Sequence, residues 1–184
     1  MAGHLKRNGN LSQECKELLI GCGNRRHKDM GSLDSQEFFN LVTLDMDPNC
    51  HPDIIHNLND MPYPFPDNYF TEIHAYDVLE HCGVQGDYRF FFDQFSEFWR
   101  ILKPFGMMFI TVPKWDGMWA WGDPGHTRVL APGCFYYLCQ TEYLQIGTTK
   151  MTDYRDIYHA DFNVIKIEER EELQVAAYLQ AIKE

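Results

Sequence analysis

No stretch of this 184-residue sequence approaches the roughly 20 consecutive apolar residues that a membrane-spanning helix requires, so no segment is expected to cross a bilayer. The opening residues, MAGHLKRNGNLSQECKEL, carry basic side chains without the apolar run that follows them in a secretory signal. The cytoplasm is therefore the expected compartment. Six cysteines (Cys15, Cys22, Cys50, Cys82, Cys134, Cys139) include no C-x-x-C pair, which points to free thiols rather than disulfides. His27, His51, His56, His81 and His126, taken with Cys50 or Cys82, lack the short ligand spacings of a zinc site, so no metal is expected. Basic residues are also scarce: 16 against 27 acidic ones give a net charge of -11. That sign disfavours a duplex nucleic-acid partner, because neutralising phosphates supplies most non-specific affinity.

Internal repeats, low-complexity tracts and Gly/Ser linkers are absent as well, and the length fits one domain spanning 1–184, with residues 1–14 as a flexible or helical extension. What is present is an alternation of short apolar runs and turns. Glu17 to Ile20 reads as a first strand closed by Gly21, Asn40 to Asp47 as a second, and Asp53 to Leu58 as a short third. The prolines of MPYPFPDNYF forbid helix and interior strand there. TEIHAYDVL gives a fourth strand ending near Tyr76, and GMMFITVP a fifth stopped by Pro113. Between them, DYRFFFDQFSEFWRIL sets Phe91, Phe95, Phe98 and Leu102 at helical spacing, with Asp87 placed to cap the start. Its aromatic stripe is expected to pack on the sheet. This rhythm argues for an α/β fold with a parallel sheet. The tail is ambiguous: residues 171–183 favour helix by propensity, yet Leu173, Val175, Ala177 and Leu179 alternate as in a strand.

LLIGCGNRRHKDM runs from an apolar strand into a turn with two glycines. Such a turn exposes backbone N–H groups at the carboxyl end of a strand, where open α/β sheets collect ligands. A dinucleotide fingerprint would need a third glycine where Asn24, Arg25 and Arg26 stand, and a P-loop would need Gly-Lys-Ser/Thr. Asp45 ends the second strand, where a carboxylate can accept hydrogen bonds from both ribose hydroxyls. Glycine turn and acid together favour an adenosine ligand over a bare tight turn.

LLIGCGNRRHKD, LVTLDMD, PDIIHNLNDMPYPFPDNYFTEIHAYDVLEH, EFWRILKPFGMMFITVP and DPGHTR, taken in order, resemble blocks of class I S-adenosylmethionine-dependent methyltransferases, above all a small bacterial and phage group with V-L-E-H and D-P-x-H motifs. The resemblance covers about Glu17 to Tyr143. It implies a Rossmann-like, mostly parallel seven-stranded sheet with the last strand antiparallel and helices on both faces, and so a β-hairpin from Asp161 to Lys183 turning near Glu169 to Glu172. It implies S-adenosyl-L-methionine as cofactor, with Gly21, Cys22 and Gly23 behind the methionine part, Asp45 at the ribose (Asp47 as runner-up), Asn57 and Leu58 at the adenine, Tyr76 and Asp77 near the transferable methyl, and Met46 also among the cofactor-binding residues. The chain departs from the family pattern at Leu19, where an acid or amide is frequent, at Asn57 for Asp, and at Phe105 for glycine. The segment from Gly23 to Leu41 is poor in helical pattern, which suggests a stunted first crossover helix.

Methyl transfer displaces an already activated sulfonium, so positioning dominates and a base is needed only for a protonated acceptor. The sequence lacks the D/N-P-P-Y/F motif and the Pro-Cys nucleophile of base methylation, which favours a small-molecule, sugar or other non-duplex acceptor. The expected acceptor wall is PKWDGMWAWGDPGHTRVLAPG. Trp115, Trp119 and Trp121 would form a lid, Asp123 and Arg128 would bind substrate, and His126, with His81 behind it, would accept a proton; alternatively, Asp123 and His126 brace the loop. A non-catalytic cofactor-binding or partner module on the same fold is the competing reading.

Overall fold

The computed structural model describes residues 15–31, 37–170 and 173–183; the expected N-terminal extension at 1–14 lies outside them. Seven strands form one sheet in the order β3-β2-β1-β4-β5-β7-β6. They are β1 (Glu17–Ile20), β2 (Leu41–Asp45), β3 (Ile54–Ile55), β4 (Phe70–Tyr76), β5 (Leu102–Pro113), β6 (Phe162–Arg170) and β7 (Gln174–Ala181). Neighbours from β3 to β5 pair in parallel, while β7 runs antiparallel to both β5 and β6. The mostly parallel Rossmann-like sheet with an antiparallel last strand is thus as the resemblance implies. Among the described residues no helix is long and apolar enough to cross a membrane.

The second and third strands are shorter than expected. Asn40 sits at φ 46°, and Asp47 turns its carboxylate onto Asn49 N to cap a one-turn 3-10 helix, Pro48–Cys50. The third strand stops after Ile55 because its flanks have other partners: Asp53 accepts from Thr43 N and Oγ1, and Asn57 folds into a turn with Asn59. β5 instead starts early, at Leu102, and absorbs the KPFG turn as an irregularity opposite Phe70 to Glu72. Phe105 occupies that turn at φ 61° and is exposed. A bulky side chain is disfavoured in the left-handed region, whereas Asn tolerates it. Phe105→Asn is expected to raise unfolding stability by about 0.5–1 kcal/mol in chemical denaturation.

Alternation along the strands divides the core between two faces. Leu18, Ile20, Ile73, Ala75, Met108, Ile110 and Val112 face one cluster, covered by helix α1 (Tyr88–Ile101) through Phe92, Phe95, Phe98 and Ile101. Asp87 caps α1 by accepting from Phe90 N at 3.0 Å, and the aromatic stripe packs on the sheet as expected. Arg100, near its end, holds the proline-rich turn through Tyr63 O, Phe65 O, Asp67 and Glu97. Two five-residue helices follow β5: α2 (Met118–Gly122) and α3 (Pro132–Tyr136).

The second face is covered differently. Residues 22–31 and 37–40 contain no helix, and Cys22, Met30 and Phe38 pack with Leu19, Tyr76 and Phe109. A buried polar network fastens this segment. Lys28 Nζ donates to Glu17 Oε1 (2.8 Å) and Glu72 Oε2 (2.9 Å), and Glu17 Oε2 accepts from Phe39 N. His74 Nε2 pairs with Glu72 Oε2 (3.0 Å) and its Nδ1 with the Tyr76 hydroxyl (2.7 Å), while that hydroxyl donates to Met30 O and accepts from the N–H groups of Asp29 and Met30. Burial pushes the Glu17 carboxyl up and holds the His74 imidazole below its ordinary value.

The tail is the hairpin, with Glu171 and Glu172 of its turn outside the described residues. β7 lies between β5 and β6, and it buries Val175, Ala177, Leu179 and Ala181 on one face and Ala176 on the other. A helix there would leave the hydrogen-bonding edge of β5 unpaired. Pairing on both sides therefore outweighs a propensity difference of a few tenths of a kcal/mol per residue.

Candidate functional site

β1 ends in the glycine turn. Gly21 has φ +57°, and a Cβ there would lie 2.2 Å from Val78 Cγ2, so only glycine lets β1 approach the turn that follows β4. Cys22 donates its N–H to Leu44 O, and burial raises its thiol pKa, which makes it a packing residue. Gly23 has φ +46° and nothing within 4 Å of where a Cβ would stand. Its N–H donates to Asp45 Oδ2 at 2.8 Å, and Asp45 Oδ1 accepts from Asp47 N at 2.9 Å. An ionised carboxylate offers about four acceptor positions, so two remain for a ligand. Asp47, the alternative ribose residue, has its oxygens committed to Asn49 and Cys50. Met46 is exposed beside this pair. Asn57 Oδ1 is held by Asn59 N and Nδ2, and Leu58 is buried with its carbonyl on Tyr63 OH. Asn59 Oδ1 then accepts from Gly83 N, tying the β3 loop to the turn after β4.

Arg25 and Arg26, standing where a dinucleotide fingerprint would have its third glycine, are part of the turn. Arg26 donates to Gly23 O (2.9 Å) and Cys50 O (2.9 Å), strapping the glycine turn to the one after β2. Arg25 lies over the Tyr76 ring, 5.0 Å from its centroid. The local signal is the consecutive pair immediately after Gly23 and Asn24.

Tyr76 and Asp77 part company. The Tyr76 side chain points into the second face, where its hydroxyl holds the 29–30 backbone, so only its main chain is available at the strand end. Asp77, at φ 51°, accepts from Gln174 Nε2 (2.6 Å) through Oδ2; its buried Oδ1 has no partner, and burial raises its carboxyl pKa.

The segment expected to wall the acceptor is the loop after β5, which meets a 3-10 turn, Leu79–His81. Trp119 and Trp121 belong to α2 and not to irregular loop, and with Trp115 they are exposed, Trp121 by 71%. Trp121 Nε1 donates to Trp115 O. Asp123 Oδ1 accepts from Gly125 N (2.7 Å), and His81 Nδ1 donates to Gly125 O (3.0 Å). That brings the His81 and His126 rings to 4.7 Å between centroids. Both N–H groups of Thr127 and Arg128 reach Glu80 O, so the DPGHTR segment is docked on the LEH turn. Arg128 is buried: Nε donates to Leu79 O (2.8 Å), an Nη donates to Gln94 Oε1, and the guanidinium lies over Phe90. It braces this junction instead of standing open to an anion. Glu80 is the residue the sequence undersold. It is 2% exposed, neither carboxylate oxygen has a partner, and burial pushes its pKa up to about 8.

A cleft of about 410 Å³ lies away from the glycine turn, between the start of α1 and residues 128–137, with Tyr88, Phe91, Arg128 and Tyr154 in its walls. Gly21, Gly23 and Asp45 are half-buried.

No family model matches the sequence, and no curated protein matches it. Solved structures do resemble the fold. A SAM-dependent methyltransferase from Archaeoglobus fulgidus aligns with TM-score 0.55 at 14% identity over 90% of this chain and 86% of that one. Another, from Aquifex aeolicus, aligns with TM-score 0.52 at 13% identity over 92% and 83%. The N-methyltransferase NodS from Bradyrhizobium japonicum WM9, in complex with S-adenosyl-L-homocysteine, aligns with TM-score 0.53 at 12% identity over 92% and 79%. At such identities the likeness is one of fold.

Proposed function

We propose that the chain is an S-adenosylmethionine-dependent methyltransferase acting on a small-molecule, sugar or other non-duplex acceptor. The observation that carries this reading is the pairing of Gly23 N–H with the Asp45 carboxylate beneath open space, at the carboxyl ends of β1 and β2. The residues fit the group. Gly23 leaves room for the methionine part, Asp45 retains two acceptor positions for ribose hydroxyls, and the Asn57 to Leu58 loop stands at the end of the neighbouring strand for the adenine. When bound, the cofactor supplies a methyl group on an activated sulfonium. The chain's own contribution is orientation: the glycine turn and Asp45 fix the donor, and the 114–128 loop with its exposed tryptophans covers an acceptor beside His81 and His126. The fold neighbours, themselves methyltransferases, support this reading.

Asp45→Ala is expected to weaken S-adenosylhomocysteine binding by ~1.5–3 kcal/mol, roughly 10- to 150-fold, the range for losing hydrogen bonds to a charged group. Calorimetry checks it, and unchanged affinity would remove Asp45 from the site. Leu19 buries its side chain in the second face and offers the cofactor's amino-acid end no polar group, which favours one competing reading, a cofactor-binding module without transferase activity. Transfer of label from the cofactor to any member of a panel of metabolites, sugars, nucleotides, RNA and protein excludes that reading.

A further inference from the structure

We propose that Glu80, His81 and His126 bind one divalent first-row transition cation of the zinc type, with Asp123 at the edge of the site. One ligating atom from each of the three lies within 4.8 Å of those of the other two. Proximity alone would not make a site, since acid and imidazole groups meet often on protein surfaces. Here the carboxylate is buried, and both of its oxygens lack a partner although it lines a small cavity with His126. A buried carboxylate left unsatisfied is costly, and a cation coordinated by it removes that cost.

The imidazoles are prepared in the same sense. Nδ1 of His81 faces Gly125 O at 3.0 Å, and Nδ1 of His126 faces Ala120 O at 3.4 Å. A backbone carbonyl can only accept, so each ring carries its proton on Nδ1 and leaves the Nε2 lone pair to ligate. This is the outer-shell arrangement that orients metal-binding histidines. Asp123 Oδ2 lies 3.8 Å from His126 Nε2, and its other oxygen is anchored by Gly125 N. Closing to ligand distances of about 2.0–2.2 Å requires a modest adjustment, which the exposed His81 can make.

Two nitrogens and a carboxylate select a cation of borderline softness over magnesium or calcium, which prefer all-oxygen shells. Three protein ligands leave a position open to a donor from outside, on the side of the exposed His81. A second cluster, Glu17, Glu72 and His74, has comparable geometry, but the Lys28 ammonium already sits between its carboxylates. The sequence could not show the first cluster, because His126 is far along the chain from the Glu80–His81 pair. The docking of the DPGHTR segment on the LEH turn brings them together.

The test is titration of chelator-stripped full-length protein with cobalt(II) chloride, followed by visible ligand-field absorption, alongside melting curves with zinc, cobalt and magnesium chlorides. The expected result is one cobalt per chain with tetrahedral-type bands, a higher melting temperature with zinc and cobalt but not magnesium, and at least tenfold weaker cobalt binding in His81→Ala, His126→Ala and Glu80→Gln. His81→Ala changes an exposed side chain and is the variant least able to disturb folding, and circular dichroism in chelator verifies each. None of these readouts involves methyl transfer or cofactor, so the cation site stands or falls separately from the proposed activity. Absence of cobalt binding, or binding by His81→Ala and His126→Ala equal to that of the parent, overturns the proposal. So does a response to magnesium alone.

Discussion

Lys28→Met is expected to lower unfolding stability by about 3–5 kcal/mol at neutral pH, the range for breaking a buried ion pair by removing one partner. Lys28 is only 3% exposed, and its ammonium lies within 2.9 Å of two buried carboxylates. Methionine fills similar space but leaves Glu17 and Glu72 facing each other with no cation between them. Burial already raises the Glu17 carboxyl, and the variant removes the Lys28 hydrogen bond that offsets it. A carboxyl with a raised folded pKa is favoured by protonation, so its contribution is fully present below the unfolded value and is lost as pH rises through the folded one. The deficit of the variant should therefore be greatest near pH 7–8 and shrink toward pH 5. Denaturant titration of both proteins at the two pH values measures it. A deficit independent of pH would mean that packing, and not charge, is what Lys28 supplies. Because this network fastens the segment that follows Gly23, partial unfolding in Lys28→Met should also weaken cofactor binding.

Gly23→Val should abolish binding of S-adenosylhomocysteine, with affinity falling at least 100-fold, while the sheet stays folded. Its Cβ would enter open space and not protein, so the branched side chain projects where the ligand is proposed to lie. The positive φ imposes a strain of about 1–3 kcal/mol, which melting will register. Gly21→Ala is the contrasting change. Its Cβ would meet Val78 at 2.2 Å, so stability should fail first, with binding lost as a consequence. Calorimetry paired with melting separates the two, and a Gly23→Val protein that binds normally would displace the proposed site from this turn.

The Asp87 cap, the aromatic face of α1 and the strands ending at Ile20, Tyr76 and Pro113 could all be read from periodicity and capping, because each depends on residues within one or two turns of chain. The boundaries of β2 and β3 could not be read, since Asp47, Asp53 and Asn57 divert the backbone through side-chain hydrogen bonds that alternation does not encode. Gly23 and Asp45 are legible as a pair because one stands in the turn that follows β1 and the other ends β2. Arg26 stands in the sequence only where a glycine is absent, because its reach to Cys50 O depends on the turn after β2. The roles of Arg128 and Tyr76 depend on burial, because their polar ends are used inside the protein.

By itself, then, the sequence determined the elements whose physics is local: alternating strands, an amphipathic helix with its cap, and glycines where the backbone must turn left-handed. The tertiary structure decided what local physics cannot. It made the tail a hairpin, because the β5 edge needed a partner more than the chain favoured helix. It replaced a first crossover helix among the described residues with a segment held by Lys28, whose partners Glu17 and Glu72 lie 11 and 44 residues away. And it set Glu80 against His126, because pairing, burial and electrostatics between distant segments act only once the chain has brought them within a few ångströms.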